Sequence, residues 1–384
     1  MNLHFSEEEL ASRRQAVARD LQARDLDGLL MFRQESMYYL TGYDTFGYVF
    51  FQCLFMKADG ETMTLLTRVG DLRQAQFTSA IRDIRVWLNR EGQNPALELR
   101  DILSEHGCRG QRLGIETDAY GLTGYNLKLV EAAMEDFCEL VEASDIVTRR
   151  RAVKSAAELR YVRKAAELAD VALDRAVEKA RPGAFEGDIL AALQGAIYEG
   201  GGDPPGNEVI IGSGPRALMV RYCAGMRHLD PVDQLTLEWA GVYRRYHAAC
   251  MRTLVVGRAS PDQRKLFTIV KEGMEAMTEA LVPGRPVGEV DDAHRKVLDG
   301  AGLERHRLAA VGYSMGTTFQ PNWMDWPMLY STNSVLAEPG NVFFLHCVVL
   351  DSDRGLAMSL GRTCYVTESG REVLSRHPLE LIIV

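Results

Sequence analysis

The residues able to do chemistry fall into a few short phrases in the second half of the chain. The clearest is LEWAGVYRRYH, residues 237–247. Glu238 stands there among Leu235, Leu237 and Trp239, and a carboxyl buried in an apolar strand has a raised pKa unless it is paired. Such a group serves as a general base or as a carboxylate nucleophile on an amide or amidine carbon. The alternative is a relic that pairs with Arg221 or Arg362. His247 shares a strand face with Ala249, two residues on; it either passes a proton for Glu238 or caps a neighbour. His346, in FFLHC, is either a satisfied core histidine or a catalyst. Tyr313 follows a glycine in GYSMG and either binds a polar group of a substrate or fills space. Arg221 and Arg362 are candidates for a two-pronged grip on a substrate carboxylate, although a structural arginine is the commoner case. Trp323 and Trp326, in QPNWMDWP, suit the walls of a site for a small cationic or amidinium compound, or a packed loop. Strand alternation points Cys250 away from the face of Ala249, as a small buried hydrophobe.

The elements that position these groups are readable from periodicity. Residues 6–9 open a helix with acidic groups at its N-terminal end. Short apolar strands are expected at 26–32, 48–56, 62–67 and 112–116, with helices near 70–79 and 94–106. This alternation describes an α/β domain over residues 1–147. One long amphipathic helix is expected over 148–180, a second near 185, and further helices over 262–281 and 287–301. Strands rich in β-branched and aromatic residues separate them, so residues 148–384 read as an α+β domain. The stretches RPGAFEGDI and VPGRPVGEV are weak echoes of each other. They mark a duplicated half-domain or two unrelated helix junctions, the second being the safer reading.

Composition removes whole classes. The 384 residues carry 44 Lys and Arg against 53 Asp and Glu, a net charge of −9, which disfavours nucleic acid or an anionic membrane as partner. No run approaches the ~20 apolar residues of a membrane span. The polar N-terminus lacks an apolar signal core. Seven scattered cysteines without a C-x-x-C pair suit reduced thiols and a cytoplasmic location.

Six phrases, VKSAAELRYVRKAAELAD, IIGSGPRA, LEWAGVYRRYHAACMRTLVVG, VGYSMG, LAEPGNVFFLHC and TCYVTESGREVLS, resemble the creatinase/aminopeptidase P/methionine aminopeptidase superfamily in order and spacing. The resemblance implies a creatinase-like N-terminal α/β domain followed by an α+β pita-bread catalytic domain. It also implies five metal-ligand positions, which fall on Glu238, Ala249, Tyr313, His346 and Gly361 here; the peptidases' additional histidine falls on Arg221. Only the first keeps a carboxylate, so neither metal nor another cofactor is expected. A shifted register would recruit Asp351, Asp353 or Glu368 instead. Creatinase's catalytic His and Glu fall on Arg221 and Met251, and Tyr48 replaces its substrate-binding Arg, so creatine is not the expected substrate. The phrase around Glu238 is most similar to that of ectoine hydrolase. SMYYLTGYDTFGYVFF, residues 36–51, is similar to a loop that enters the neighbouring subunit's pocket in such dimers, which implies that Tyr43, Phe46 and Tyr48 close the site of a partner copy.

The resulting expectation is a cytoplasmic, homodimeric, metal-independent hydrolase. It cleaves a C–N bond in a small zwitterionic or cyclic amidine or amide compound, with Glu238, His247, Tyr313 and His346 as its catalytic groups. The alternatives are a Xaa-Pro-type metallopeptidase with degenerate ligands and a non-catalytic binding protein.

Overall fold

Ser6 fixes the start of the first helix: its side chain accepts the N–H of Glu9, and Glu7, Glu8 and Glu9 fill the first turn, both favourable at a helix N-terminus. The structure, a computed structural model, describes residues 3–223 and 225–384. The chain divides into two units, Met1–Arg151 and Ala152–Val384.

In the first unit, α1 (Glu7–Ala23), α2 (Gln34–Thr41), α3 (Leu72–Thr78), α4 (Pro95–Glu105) and α5 (Gly124–Met134) accompany a six-stranded sheet. Its strands are β1 (Gly28–Met31), β2 (Cys53–Lys57), β3 (Met63–Arg68), β4 (Asp83–Trp87), β5 (Arg112–Ile115) and β6 (Glu139–Glu142), in the order β4-β3-β2-β1-β5-β6. Alternation along β1 feeds two cores: Leu30 enters one apolar cluster, Leu29 and Met31 the other. The α/β expectation holds. The strand expected over 48–56 starts only at Cys53. Before it, Thr45 Oγ1 accepts the N–H of Gly47 and donates to Asp71, and this local turn overrides the β-propensity of the aromatic run.

The helix expected over 148–180 is two helices, α6 (Asp145–Ala152) and α7 (Ala156–Lys179). Ser155 and Glu158 form a reciprocal capping box at the start of α7, and Val153 is spent on a bridge to Asn341. A new cap and a sheet partner together end the first helix.

Beyond α7 the second unit contains α8 (Glu186–Glu199), β7 (Ile210–Ser213), β8 (Asp233–Tyr243), β9 (Tyr246–Val256), α9 (Pro261–Ala280), α10 (Gly288–Gly300), β10 (Gly312–Ser314), β11 (Asp325–Leu329), β12 (Val342–Asp351), β13 (Leu356–Thr367) and β14 (Gly370–Val373). The sheet runs β11-β10-β12-β13-β9-β8-β7, with β14 on β13. With β11 set aside as an addition at one edge, that order is mirrored about the β13–β9 seam: helix pair, short strand and long hairpin occur twice. The junctions repeat bond for bond. Gly183 N–H donates to Leu229 O, and Gly284 N–H to Ala337 O. Phe185 bridges His228 as Pro286 bridges Leu336. The two P-G echoes therefore occupy equivalent places in two halves, and the reading of unrelated junctions is corrected. Helices α9 and α10 pack on the odd-numbered residues of β12, such as Phe343, Leu345 and Cys347, leaving the even-numbered ones on the other face. Gly241 is required where β8 touches α7, because a Cβ there lies 1.9 Å from the carbonyl oxygen of Ala165. Among the described residues, no helix is long and apolar enough to cross a membrane.

Candidate active site

Strand register assembles the site. Ile210 stands opposite Glu238, Glu238 opposite Met251, Met251 opposite Gly361, and Gly361 opposite His346. Opposed residues share a sheet face, so these five form one row across β7, β8, β9, β13 and β12. Tyr313 on β10 stands opposite Phe344, two residues from His346 and on the same face. A cavity of about 210 Å³ is lined by Glu238, Tyr313, His346 and Arg221, among others.

Burial pushes the Glu238 carboxyl from 4.5 up to about 7, opposed by the nearby Arg221 charge and a hydrogen bond from Tyr313. That bond spans 3.4 Å, from the Tyr313 hydroxyl to Oε1. The hydroxyl in turn accepts the indole N–H of Trp323 at 2.8 Å. Burial, reinforced by the Glu238 charge, holds the Tyr313 phenol well above its ordinary value, so Tyr313 keeps its proton. The indole has only a donor to give. The chain therefore runs one way, from indole to phenol to carboxylate, and it leaves Oε2 of Glu238 outside it. His346 is pushed down to about 4, first by burial and then by the charges of His294 and Arg221. Its Nδ1 is buried without a hydrogen-bond partner, and its ring lies 5.9 Å from that of Tyr313. It is neutral at pH 7.

Other expected site residues lie elsewhere. Arg362 stands opposite Leu345, a helix-facing residue, and donates to Thr278 Oγ1 on α9 at 2.7 Å. It is one residue from Gly361 and therefore on the wrong face, so its assignment to substrate is corrected. His247 does not line the Glu238 cavity. Its Nε2 accepts the N–H of Gly206 at 2.8 Å, and its Nδ1 lies 2.9 Å from the carbonyl of Arg245. Burial lowers it to about 4. With both ring nitrogens engaged it is a structural staple, and the proton-shuttle reading is corrected. Trp323 is 1% exposed and sits behind Tyr313, so it is no cation–π wall. Trp326, on β11, does not line the cavity either; its neighbours Met324 and Met328 do.

In the first unit, Tyr43 is 0% and Tyr48 5% exposed. Both belong to the interior, which removes them as residues that reach another copy. Phe46, at 63% exposed, does project. The remaining cavity residues are apolar, and parity with His346 is the signal that marks Val348 among them as site-facing.

A second cavity of about 290 Å³ adjoins the first and shares Arg221 with it; its lining includes Gly206, Asn207, Glu208 and Gln320. Among the described residues, Arg221 makes no hydrogen bond or ion pair, which leaves its guanidinium open to both spaces.

The fold and this row of strand-borne groups define an enzyme domain of the creatinase/aminopeptidase P superfamily. The chain belongs to metallopeptidase family M24, whose model matches residues 160–368, while residues 13–153 match the creatinase/prolidase N-terminal domain. It is similar to an uncharacterized hydrolase/peptidase of Sinorhizobium fredii, 28% identical over 392 residues and 99% of each chain. It is also similar to ectoine hydrolase of Halomonas elongata, 26% identical over 403 residues, covering 100% of this chain and 99% of that one. Among solved structures it superposes on a prolidase of Thermococcus sibiricus with a TM-score of 0.86 at 21% identity, covering 97% of this chain and 98% of that one. At that identity the likeness is one of fold.

The family description implies metal ions, and the residues present do not fit them. The row offers one carboxylate, beside an arginine cation. Gly361 cannot ligate, and the space above it is filled: a Cβ there meets the Phe344 ring at 2.6 Å and the Met251 Cβ at 2.8 Å. Hard divalent ions in a paired site need several carboxylate oxygens. The carboxylates a shifted register would recruit are not in the row: Asp351 stands opposite Leu356 at the strand's end. Asp351 groups there with His306 and Asp353 and is bound by Arg354 at 2.6 Å.

Proposed function

We propose that this chain is a metal-independent hydrolase of a C–N bond in a small amide or amidine compound that bears a carboxylate. The observation that carries this reading is the convergence of Glu238, Tyr313, His346 and Arg221 on one small cavity. The similarity to ectoine hydrolase over the full chain supports the amidine and amide class.

Ionised Glu238 takes a proton from water at Oε2, and the water oxygen adds to the amide or amidine carbon. The developing negative charge sits on the substrate's heteroatom. The protonated carboxyl then returns its proton to the departing nitrogen as the C–N bond breaks, so that water is consumed and the carboxylate regenerated. Tyr313 holds the other carboxylate oxygen and tunes its basicity. Arg221 takes the substrate carboxylate through its paired N–H groups. Neutral His346 is placed to share a hydrogen bond with the substrate. The apolar lining around Glu238 lowers the local polarity, which strengthens these contacts. The proposal includes a cytoplasmic homodimer in which Phe46 of one copy reaches the site of the other.

A panel of carboxylate-bearing cyclic amidines, N-acyl amino acids and Xaa-Pro dipeptides, assayed by mass spectrometry with and without chelator, tests the reading. Chelator-resistant hydrolysis of an amide or amidine supports it. Hydrolysis of Xaa-Pro dipeptides alone, lost on chelation, overturns it.

A further inference from the structure

Beyond its four polar groups the Glu238 cavity is walled by apolar side chains. Met251 stands directly opposite Glu238 in the strand row. Met324 and Met328 line the cavity from the β11 side, and Val220, Leu308, Ala310 and Val348 complete the wall. Methionine is flexible and polarizable and fits apolar groups of varied shape. A wall of this kind beside the reacting carboxylate leaves a purely zwitterionic molecule uncomplemented over most of its surface. The adjoining cavity differs, with Asn207, Glu208 and Gln320 in its lining, and Arg221 stands at the junction.

We infer that the substrate carries an apolar group of branched-alkyl or aryl size next to the scissile C–N bond. That group packs on Met251, Met324 and Met328, the carboxylate meets Arg221 at the junction, and any polar remainder extends into the outer cavity. This deepens the proposed hydrolase reading and names the substrate class as amides or amidines of apolar amino acids, in place of small polar osmolyte-like compounds.

The test is isothermal titration of the Glu238→Gln full chain, so that hydrolysis does not consume the probe. N-acetyl-L-leucine, N-acetylglycine and N-acetyl-L-leucinamide are the probes. Burying a leucine side chain predicts that N-acetyl-L-leucine binds about tenfold or more tightly than N-acetylglycine. Loss of the carboxylate in the leucinamide weakens binding about tenfold, and Arg221→Leu abolishes that second difference. Replacing both Met324 and Met328 by Thr shrinks the leucine-over-glycine ratio. Equal affinity for the leucine and glycine compounds, or an undiminished ratio in the double variant, overturns the inference. Binding is read without turnover, so this failure leaves the hydrolase reading standing, and absence of hydrolysis in the substrate panel leaves this binding order standing.

Discussion

Replacing Glu238 by Gln should make the protein more stable at alkaline pH while removing its reactive group. In the folded state burial raises the carboxyl from 4.5 to about 7. Between those values the folded chain holds a proton that the unfolded chain has released, so wild-type stability falls as pH rises through this window. The difference corresponds to about 3 kcal/mol once pH exceeds the folded value. Glutamine is nearly isosteric and never ionises, so the variant escapes the loss. The two proteins should be equally stable near pH 4, and the variant should gain progressively to about 3 kcal/mol at pH 8, or roughly 6–12 °C in Tm for a unit of this size. Burial also raises Glu116 in the first unit to about 7, so the wild-type curve mixes two groups and only the difference between the two proteins reports Glu238. Urea denaturation of both across this pH range measures it. A difference that stays constant with pH would refute the claim that desolvation outweighs the Arg221 charge and raises the Glu238 carboxyl.

Three further outcomes follow from the same geometry. Trp323→Phe removes the N–H donated to Tyr313, weakens the phenol's bond to the carboxylate, and should move the Glu238 midpoint to higher pH, read as the same Gln-minus-Glu stability difference in that background. Gly361→Glu, which reinstates a carboxylate at a family ligand position, should cost about 1–3 kcal/mol by overpacking against Phe344 and Met251, and elemental analysis should find no metal gained. Gly241→Ala should cost about 3 kcal/mol by chemical denaturation, because its methyl meets the α7 backbone.

The architecture was largely legible because each characteristic phrase spans a strand or a helix junction, and their spacing reproduces the order of the sheet. Four of the site groups, Glu238, Tyr313, His346 and Arg221, were legible for the same reason. Arg362 was misplaced by one residue of parity: once Gly361 faces the site, its neighbour must face the helices. Of the two roles open to His247, the structure shows the cap rather than the proton shuttle, and its partner, the N–H of Gly206, comes from a loop that no local pattern ties to β9. For Trp323 the structure shows the packed residue rather than the cation–π wall, a choice that composition leaves open because it does not say which way an indole N–H points. Tyr43 and Tyr48 are buried in the first unit, and the intervening Thr45 binds Asp71, a local polar contact that replaces the start of the expected strand with a turn. The methionine wall left no signal, since an apolar residue lining a cavity looks the same in sequence as one lining a core.

The central claim is hydrolysis by Glu238 without metal. The most direct measurement is the rate at which extensively chelated protein hydrolyses the compound that the substrate panel identifies, with Glu238→Gln treated in parallel. The account predicts an undiminished rate for the chelated wild type, rising with pH through about 7 as Glu238 ionises, and no turnover above background for the variant. A rate that vanishes on chelation and returns with added divalent metal, or a Glu238→Gln variant that turns over as the wild type does, would contradict it.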